Sequence, residues 1–321
     1  LDVFSKNLES RGVKVHWAKD AQEFNEIVLG ILNDHHVKKM VKSKSMLTEE
    51  CEMNPYLEKH GIDVVETDLG ERIIQLLGQK PSHIVMPAIH LKREEVGKMF
   101  EEKGISKEIG NYDPTYLTRC ARHHLRNQFM EAGAGMTGCN FGVAETGDCV
   151  VCTNEGNADM TTSMPKLHIV AMGIEKLVPD YKSLAVFQRL LCRCGTGQPT
   201  TAFTSHFRQA RPGAEMHVVL VDNGRSYILA DKDHWQTLKC MRCGACMNTC
   251  PVYRRSGGYS YTYFIPGPVG VNLGMLKNPQ KYADNVSACT LCLSCDNVCP
   301  SKVGPGSQIY VWRQSLDRLG K

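Results

Sequence analysis

The sequence lacks any apolar run approaching the roughly 18 residues that a membrane-spanning helix needs. It has no strong excess of charge of one sign either. The formal net charge is +4 and scattered, which gives no basic face for a nucleic acid. No segment is of low complexity, and no period of about 20–50 residues runs through the chain, which excludes solenoids and propellers. No secretory leader pattern is visible at its start. The chain begins at Leu1 rather than Met, so residues upstream are expected. What remains is ordinary for a globular protein: 42% hydrophobic and 22% charged, with room in 321 residues for two domains.

Cysteine is plentiful, at 15 residues, and eight of these fall in two matching runs. The first is Cys240-Met-Arg-Cys243-Gly-Ala-Cys246-Met-Asn-Thr-Cys250-Pro251. The second is Cys289-Thr-Leu-Cys292-Leu-Ser-Cys295-Asp-Asn-Val-Cys299-Pro300. Both read C-x2-C-x2-C-x3-C-P, the bacterial iron–sulfur pattern. Three thiolates spaced two residues apart can wrap one cubane on a tight loop, while the fourth is carried off to the other cluster. The doubled pattern predicts two [4Fe–4S] clusters with crossed ligands. Cys240, Cys243, Cys246 and Cys299 hold one, and Cys289, Cys292, Cys295 and Cys250 hold the other. Zinc also uses C-x2-C, but two complete runs of four with a trailing proline do not fit zinc knuckles. Cys51, Cys120, Cys139, Cys149, Cys152, Cys192 and Cys194 are left, odd in number and not spaced as a secreted disulfide framework. A reducing cytoplasm is the expected setting.

The first two thirds alternate between strand and helix patterns. Strands are expected at Val13–Ala18, Val37–Val41, Ile62–Glu66, His83–Met86, Leu167–Met172 and His217–Val221. Helices are expected from Asp20 to about His35, after Ser45 with a break near Pro55, from Asp68 to about Gly78, at 92–103, from Pro114 to about Ala132, and at Tyr181–Cys192. Residues 136–153 read as a hairpin turning at Glu145-Thr146-Gly147-Asp148. The alternation predicts an α/β layer with a largely parallel sheet. Asn223-Gly224 marks a turn into Tyr227–Leu229, and the first domain is expected to end near 232. From 233 to 321 a mainly α domain is expected, closing in a helix from Ser307 to Leu319. The stretch between Cys250 and Cys289 is too long for a hairpin connection. Its wide spacing resembles helical two-cluster modules of the succinate dehydrogenase iron–sulfur type.

Other features compete for a role. Gly133-Ala-Gly135-Met-Thr-Gly138 matches G-x-G-x-x-G, but a helix precedes it and a strand follows, the reverse of a dinucleotide site. Its glycines are read as serving a helix end and turn. Lys42, Ser43, Lys44 and Ser45 sit where a strand hands over to a helix, a place where anions bind. The alternative is a solvated turn with Ser45 as N-cap. Asn154 and Asn157, on a second polar loop after a strand, face the same cleft in the first reading and are turn residues in the second. Glu145 is either a catalytic carboxylate or a hairpin-turn acid. A third metal site at Cys149, Cys152, Cys192 and Cys194 is opposed by geometry. Residues three apart on a strand point to opposite faces, and residues two apart on a helix lie about 200° apart. His123 and His124 are adjacent on a helix and diverge.

Several stretches together carry a resemblance. They are Val41-Lys-Ser-Lys-Ser-Met46, Val64-Val-Glu-Thr-Asp-Leu-Gly70, Pro81-Ser-His-Ile-Val85, Gly138-Cys-Asn-Phe141, Thr153-Asn-Glu-Gly-Asn157, Val221-Asp-Asn-Gly-Arg-Ser226 and Cys250-Pro-Val-Tyr-Arg254. Over essentially its whole length the chain resembles the lactate utilization protein B family, iron–sulfur subunits of an L-lactate oxidation complex. The resemblance implies an α/β LUD domain of the sugar-isomerase and CoA-transferase-like group at 1–232. A helical two-cluster ferredoxin-like domain then follows at 233–321. It implies two partners, a cysteine-rich subunit of the heterodisulfide-reductase type and a smaller LUD-only subunit. It implies electron transfer as the activity. With no convincing flavin or NAD fingerprint, lactate oxidation by this chain alone is not expected. The alternatives are a self-contained enzyme acting on an anionic metabolite in the LUD cleft, and an electron relay for another dehydrogenase of glycolate or succinate type.

Overall fold

A computed structural model of the chain describes residues 1–318. The chain divides into two compact units. The first comprises Leu1–Gln79, Leu91–Ala185 and Thr201–Asn223, and the second Lys80–His90, Val186–Thr200 and Gly224 onward.

In the first unit the order is α1 (Asp2–Glu9), β1 (Lys14–Ala18), α2 (Ala21–Asp34), β2 (Lys39–Lys42), α3 (Met46–Glu50), α4 (Met53–Lys59), β3 (Asp63–Glu66) and α5 (Leu69–Leu77). After the excursion at 80–90 come α6 (Arg93–Glu102), α7 (Pro114–Glu131), β4 (Ala134–Gly138), β5 (Phe141–Val143), β6 (Asp148–Thr153) and α8 (Asn157–Ser163). Then follow β7 (Leu167–Gly173), β8 (Leu177–Val178), α9 (Tyr181–Thr196), β9 (Phe203–Phe207) and β10 (Glu215–Val221). One of the crossings between the units falls inside α9.

Six strands make one parallel sheet in the order β1-β10-β7-β4-β2-β3. β7 is buried along its whole length and β10 nearly so, as their almost unbroken apolar runs require of strands covered on both faces. One face packs on α2, whose Phe24, Val28, Ile31 and Leu32 lie one helical turn apart and are buried with Met40, Met136, Ile169 and Val219. Each such side chain contributes about 1.5–3 kcal/mol. Asp20, Ser45, Asp68 and Asp113 each accept the backbone N–H three residues on, closing the starts of α2, α3, α5 and α7. A smaller sheet, β8-β5-β6-β9, contains the expected hairpin at β5–β6.

Four local expectations are revised. The helix after Ser45 breaks at Glu52, which is left-handed at φ 51°, and Pro55 lies harmlessly in the first turn of α4. His83–Met86 is not a strand. The His83 ring accepts the backbone N–H groups of Val85 and Met86 at 3.0 and 3.1 Å, which folds the segment into a turn. Tyr227 and Leu229 lie on a helix, α10 (Arg225–Ala230). Gly135 and Gly138 are in strand β4, not at a helix end. Their role is close approach. A Cβ on Gly135 would lie 1.8 Å from the Thr161 carbonyl oxygen of α8.

In the second unit α10 is followed by α11 (Ala245–Thr249), α12 (Pro251–Ser256), α13 (Gly267–Lys277), α14 (Pro279–Tyr282), α15 (Asp284–Ser287), α16 (Ser294–Val298) and α17 (Pro305–Arg318). The expected closing helix therefore starts two residues early, and Leu319 lies outside the described residues. In the connection between the two cysteine runs, the segment Ser256–Gly270 is exposed only in its first part. Tyr263, Ile265 and Val269 are core residues.

Gly135→Ala should lower stability by about 1–3 kcal/mol through overpacking against α8. Gly30→Ala, in α2 with nothing within 4 Å of its added Cβ, should raise it by about 0.5–1 kcal/mol. Thermal unfolding of the two variants beside the parent checks the pair, and equal midpoints would contradict the close-packing account.

Candidate metal centres

The two cysteine runs fold alike. In the first, Arg242 and Gly244 are left-handed at φ 64° and 79°; in the second, Leu291 and Leu293 are left-handed at φ 55° and 58°. Such residues turn successive N–H groups toward one concave side, at some cost for non-glycine side chains. The backbone N–H of Arg242 donates to Cys240 Sγ at 3.4 Å, and that of Leu291 to Cys289 Sγ at 3.4 Å. Each loop then enters one helical turn, α11 or α16, and these two turns pack on each other.

That packing exchanges the fourth cysteines. Cys299 leaves α16 and joins Cys240, Cys243 and Cys246 in lining one cavity, whose wall also includes Ile84 and Val269. Val303 N–H donates to Cys299 Sγ at 3.3 Å. Cys250 leaves α11 toward the other group. Burial raises the Cys295 thiol to about 12, with Asp296, Cys289 and Cys250 adding to it, and burial with Cys250 likewise raises Cys289. Unligated thiols so placed stay protonated at neutral pH, whereas a metal ion would make thiolates of them. The donor set fits iron–sulfur ligation: four cysteine sulfurs around the first cavity, backbone N–H groups aimed at sulfur, and a wall that includes Ile84, Met241 and Val269. Cys292 of the second group is exposed, whereas none of Cys240, Cys243, Cys246 and Cys299 is, so the second group reaches nearer the surface.

Two neighbours were not visible in the sequence. Cys194, at the end of α9, is raised by burial and by the nearby Cys299. Gly195 there brings the helix to the Cys243 carbonyl, 3.4 Å from where a Cβ would stand. Tyr261 is hydrogen-bonded to Cys250; burial first and Cys250 next hold its phenol well above the usual range. The segment 80–90 is fastened to this unit by Tyr253, which donates to the Ser82 carbonyl at 2.7 Å, and by Tyr259, which donates to that of Lys80 at 2.7 Å.

The second candidate lies at the carboxyl ends of β2, β3 and β4. β2 and β4 are adjacent, yet the chain leaves them toward opposite sides of the sheet, the arrangement at which α/β sheets bind ligands. Lys42, however, is fully buried, and its ammonium lies 2.7 Å from Glu66 and 3.1 Å from Glu49 and donates to Thr48 Oγ1 at 2.8 Å. Lys44 lies 3.6 Å from Glu71. Ser45 caps α3, and Ser43 is buried. Asn157 joins the group through Thr67 Oγ1 at 3.4 Å, while Asn154 turns away to accept the Ala202 N–H. The expected anion site is thus revised to a buried cluster in which Glu66 and Glu49 already answer Lys42 and Glu71 stands beside Lys44. Lys42 and Glu66 are cross-strand partners, and the signal was present: two neighbouring strands each end in an apolar pair followed by a charge of opposite sign. Glu145 accepts the Tyr181 N–H at 3.1 Å and is the turn acid. His124 contacts Arg72 at 3.0 Å, and the two cysteine pairs of the discounted third site lie on β6 and α9.

A family model described as LUD domain matches residues 1–225, and one described as 4Fe-4S dicluster domain matches 236–303. The chain is therefore a LUD-domain protein carrying an iron–sulfur dicluster module. Lactate utilization protein B of Macrococcus caseolyticus is 43% identical over 312 residues, covering 94% of this chain and 65% of its own length. That of Geobacillus thermodenitrificans is 42% identical over 331 residues, covering 100% and 69%. An Escherichia coli protein named as an uncharacterized electron transport protein is 41% identical, covering 100% and 68%. The chain belongs to the lactate utilization protein B family. It spans about two thirds of the length of the curated relatives it matches. Among the described residues no helix is long and apolar enough to cross a membrane.

Burial raises Glu71 to about 8, with Glu66 and Glu49 adding to it against Lys44. The folded state therefore holds a proton that the unfolded chain releases above about pH 4.3. Stability falls as pH rises through that window, and the loss is complete above pH 8. Glu71→Gln should lose less stability than the parent between pH 6 and 8.5, measured anaerobically by thermal unfolding. Identical slopes would contradict it.

Proposed function

We propose that the chain is an electron-relay subunit of a multi-subunit complex that oxidises L-lactate to pyruvate, working in a reducing cytoplasm. The observation that carries this reading is the exchange of fourth cysteines between two matching loops. Cys240, Cys243, Cys246 and Cys299 hold one [4Fe–4S] cluster, and Cys289, Cys292, Cys295 and Cys250 hold a second. Such clusters, when bound, supply one-electron transfer. The loop N–H groups of Arg242, Leu291 and Val303 stabilise charge on the cysteine sulfurs. Burial of Cys243 and Cys295 keeps water from the sulfurs.

Lactate oxidation releases two electrons and two protons together, and no two-electron cofactor motif is present in this sequence. A partner must therefore take the electrons from lactate. Partners of the kind the family implies, a cysteine-rich heterodisulfide-reductase-like subunit and a LUD-only subunit, complete the reaction. The exposure of Cys292 and Leu293 supports the second loop as the place where electrons pass between subunits. The names of the relatives, in lactate utilization and electron transport, support this role. The self-contained enzyme is disfavoured by the ion pairing of Lys42, which leaves its charge committed to Glu66 and Glu49.

Anaerobic reconstitution with an artificial acceptor tests the role. The isolated holoprotein should give no lactate-dependent reduction, and the partners should restore it. Lactate turnover by the lone, flavin-free chain would overturn the reading. The ligand assignment has its own test. Cys250→Ser should disturb the paramagnetic resonance signal of the cluster on Cys289, Cys292 and Cys295. Damage confined to the cluster on Cys240, Cys243 and Cys246 would show the ligands uncrossed.

A further inference from the structure

Far from the cysteines in sequence, the first unit gathers a set of metal-ligating side chains that neither the electron relay nor the ionic cluster uses. The period of two along a strand places it. Ala18 of β1 and Val219 and Val221 of β10 pack in the core beneath α2. Residues at even steps from these project on the same face, and toward the strand starts they are His16 and Lys14 on β1, and His217 and Glu215 on β10. The strands pair in parallel with Lys14 opposite His217. His35 immediately follows α2 at its carboxyl end, above this edge of the sheet.

Glu215 Oε1 is the meeting point. His217 Nε2 lies 2.6 Å from it and His35 Nε2 3.1 Å. The three donor atoms all fall within 4.8 Å of one another. A tetrahedral zinc ion with bonds of about 2.0–2.1 Å holds its ligand atoms about 3.3 Å apart, so small side-chain rotations open this triangle to the required size. The second shell is also present. His217 Nδ1 lies 2.9 Å from His16 Nε2, with the two rings within 2° of parallel. A ligating histidine is commonly oriented in this way through its other nitrogen. His217 is buried and His35 is at the surface, so the triangle has a closed floor and an open top.

We propose that His35, Glu215 and His217 form a binding site for a borderline divalent transition-metal ion such as zinc, with a fourth position open to water and His16 orienting His217. Two histidines and a carboxylate with an open position form an established zinc donor set. The site joins the end of α2 to β1 and β10. Lys14, whose ammonium lies 2.6 Å from Glu215 Oε1, is the competitor. Its side chain is 56% exposed and can withdraw into solvent when the metal enters.

The test uses anaerobically prepared holoprotein, with cluster cysteines occupied, titrated with zinc and followed by metal analysis, calorimetry and zinc-edge X-ray absorption. The parent should bind one zinc per chain with nitrogen and oxygen at about 2.0–2.1 Å and no sulfur at about 2.3 Å. His35→Ala and Glu215→Ala should each weaken binding at least tenfold, and His16→Ala by about 10–100-fold. Lys14→Ala should tighten it. Absence of zinc uptake, a shell containing sulfur, unchanged affinity in His35→Ala and Glu215→Ala, or weaker binding in Lys14→Ala would each overturn the site.

Discussion

The second unit depends on one contact: α11 and α16 have to lie side by side for Cys299 of the second run to reach the cavity lined by Cys240, Cys243 and Cys246 of the first. The long connection between Cys250 and Cys289 meets this requirement with buried structure. Asn272 of α13 donates to the Pro268 and Pro305 carbonyls, at 3.0 and 2.9 Å, tying α13 to the start of α17. Arg313 of α17 reaches the Cys289 carbonyl at 2.6 Å. A change in the core of this connection therefore reaches both cysteine sets together.

In the first unit it is charge, not sulfur, that the fold gathers. The ends of β2 and β3 bring a lysine and a glutamate together out of water, and Glu49 of α3 closes over them. Lys42 remains cationic because its surroundings are acidic. Burial opposes its charge, but Glu66 and Glu49 outweigh it and raise its pKa. Removing one member of such a buried pair costs about 3–5 kcal/mol, because it leaves the other charge buried and unanswered.

Much of this was legible in the sequence, because much of it is local. Aspartates and a serine at helix starts, period-3.6 apolar residues in α2 and unbroken apolar runs in β7 and β10 each carry their own signal. The cysteine spacing carried the metal chemistry. What failed was non-local. His83–Met86 reads as a strand until the His83 ring takes the Val85 and Met86 N–H groups and Tyr253, far along the chain, holds the Ser82 carbonyl. Gly135 and Gly138 read as a helix end until α8 and Ser45 approach them. Lys42 reads as a free cation until β3 pairs with β2. His16, His35 and His217 are far apart in sequence and meet only because β1 and β10 align.

The central claim is that the two cysteine sets form a single interlocked unit. Iron and sulfide analysis together with paramagnetic resonance of the fully reduced holoprotein tests it most directly. The account predicts two [4Fe–4S] clusters per chain whose spins are magnetically coupled, giving a broadened signal that sharpens when one cluster is left oxidised. A single cluster per chain, or two sharp signals that add without coupling, would contradict it.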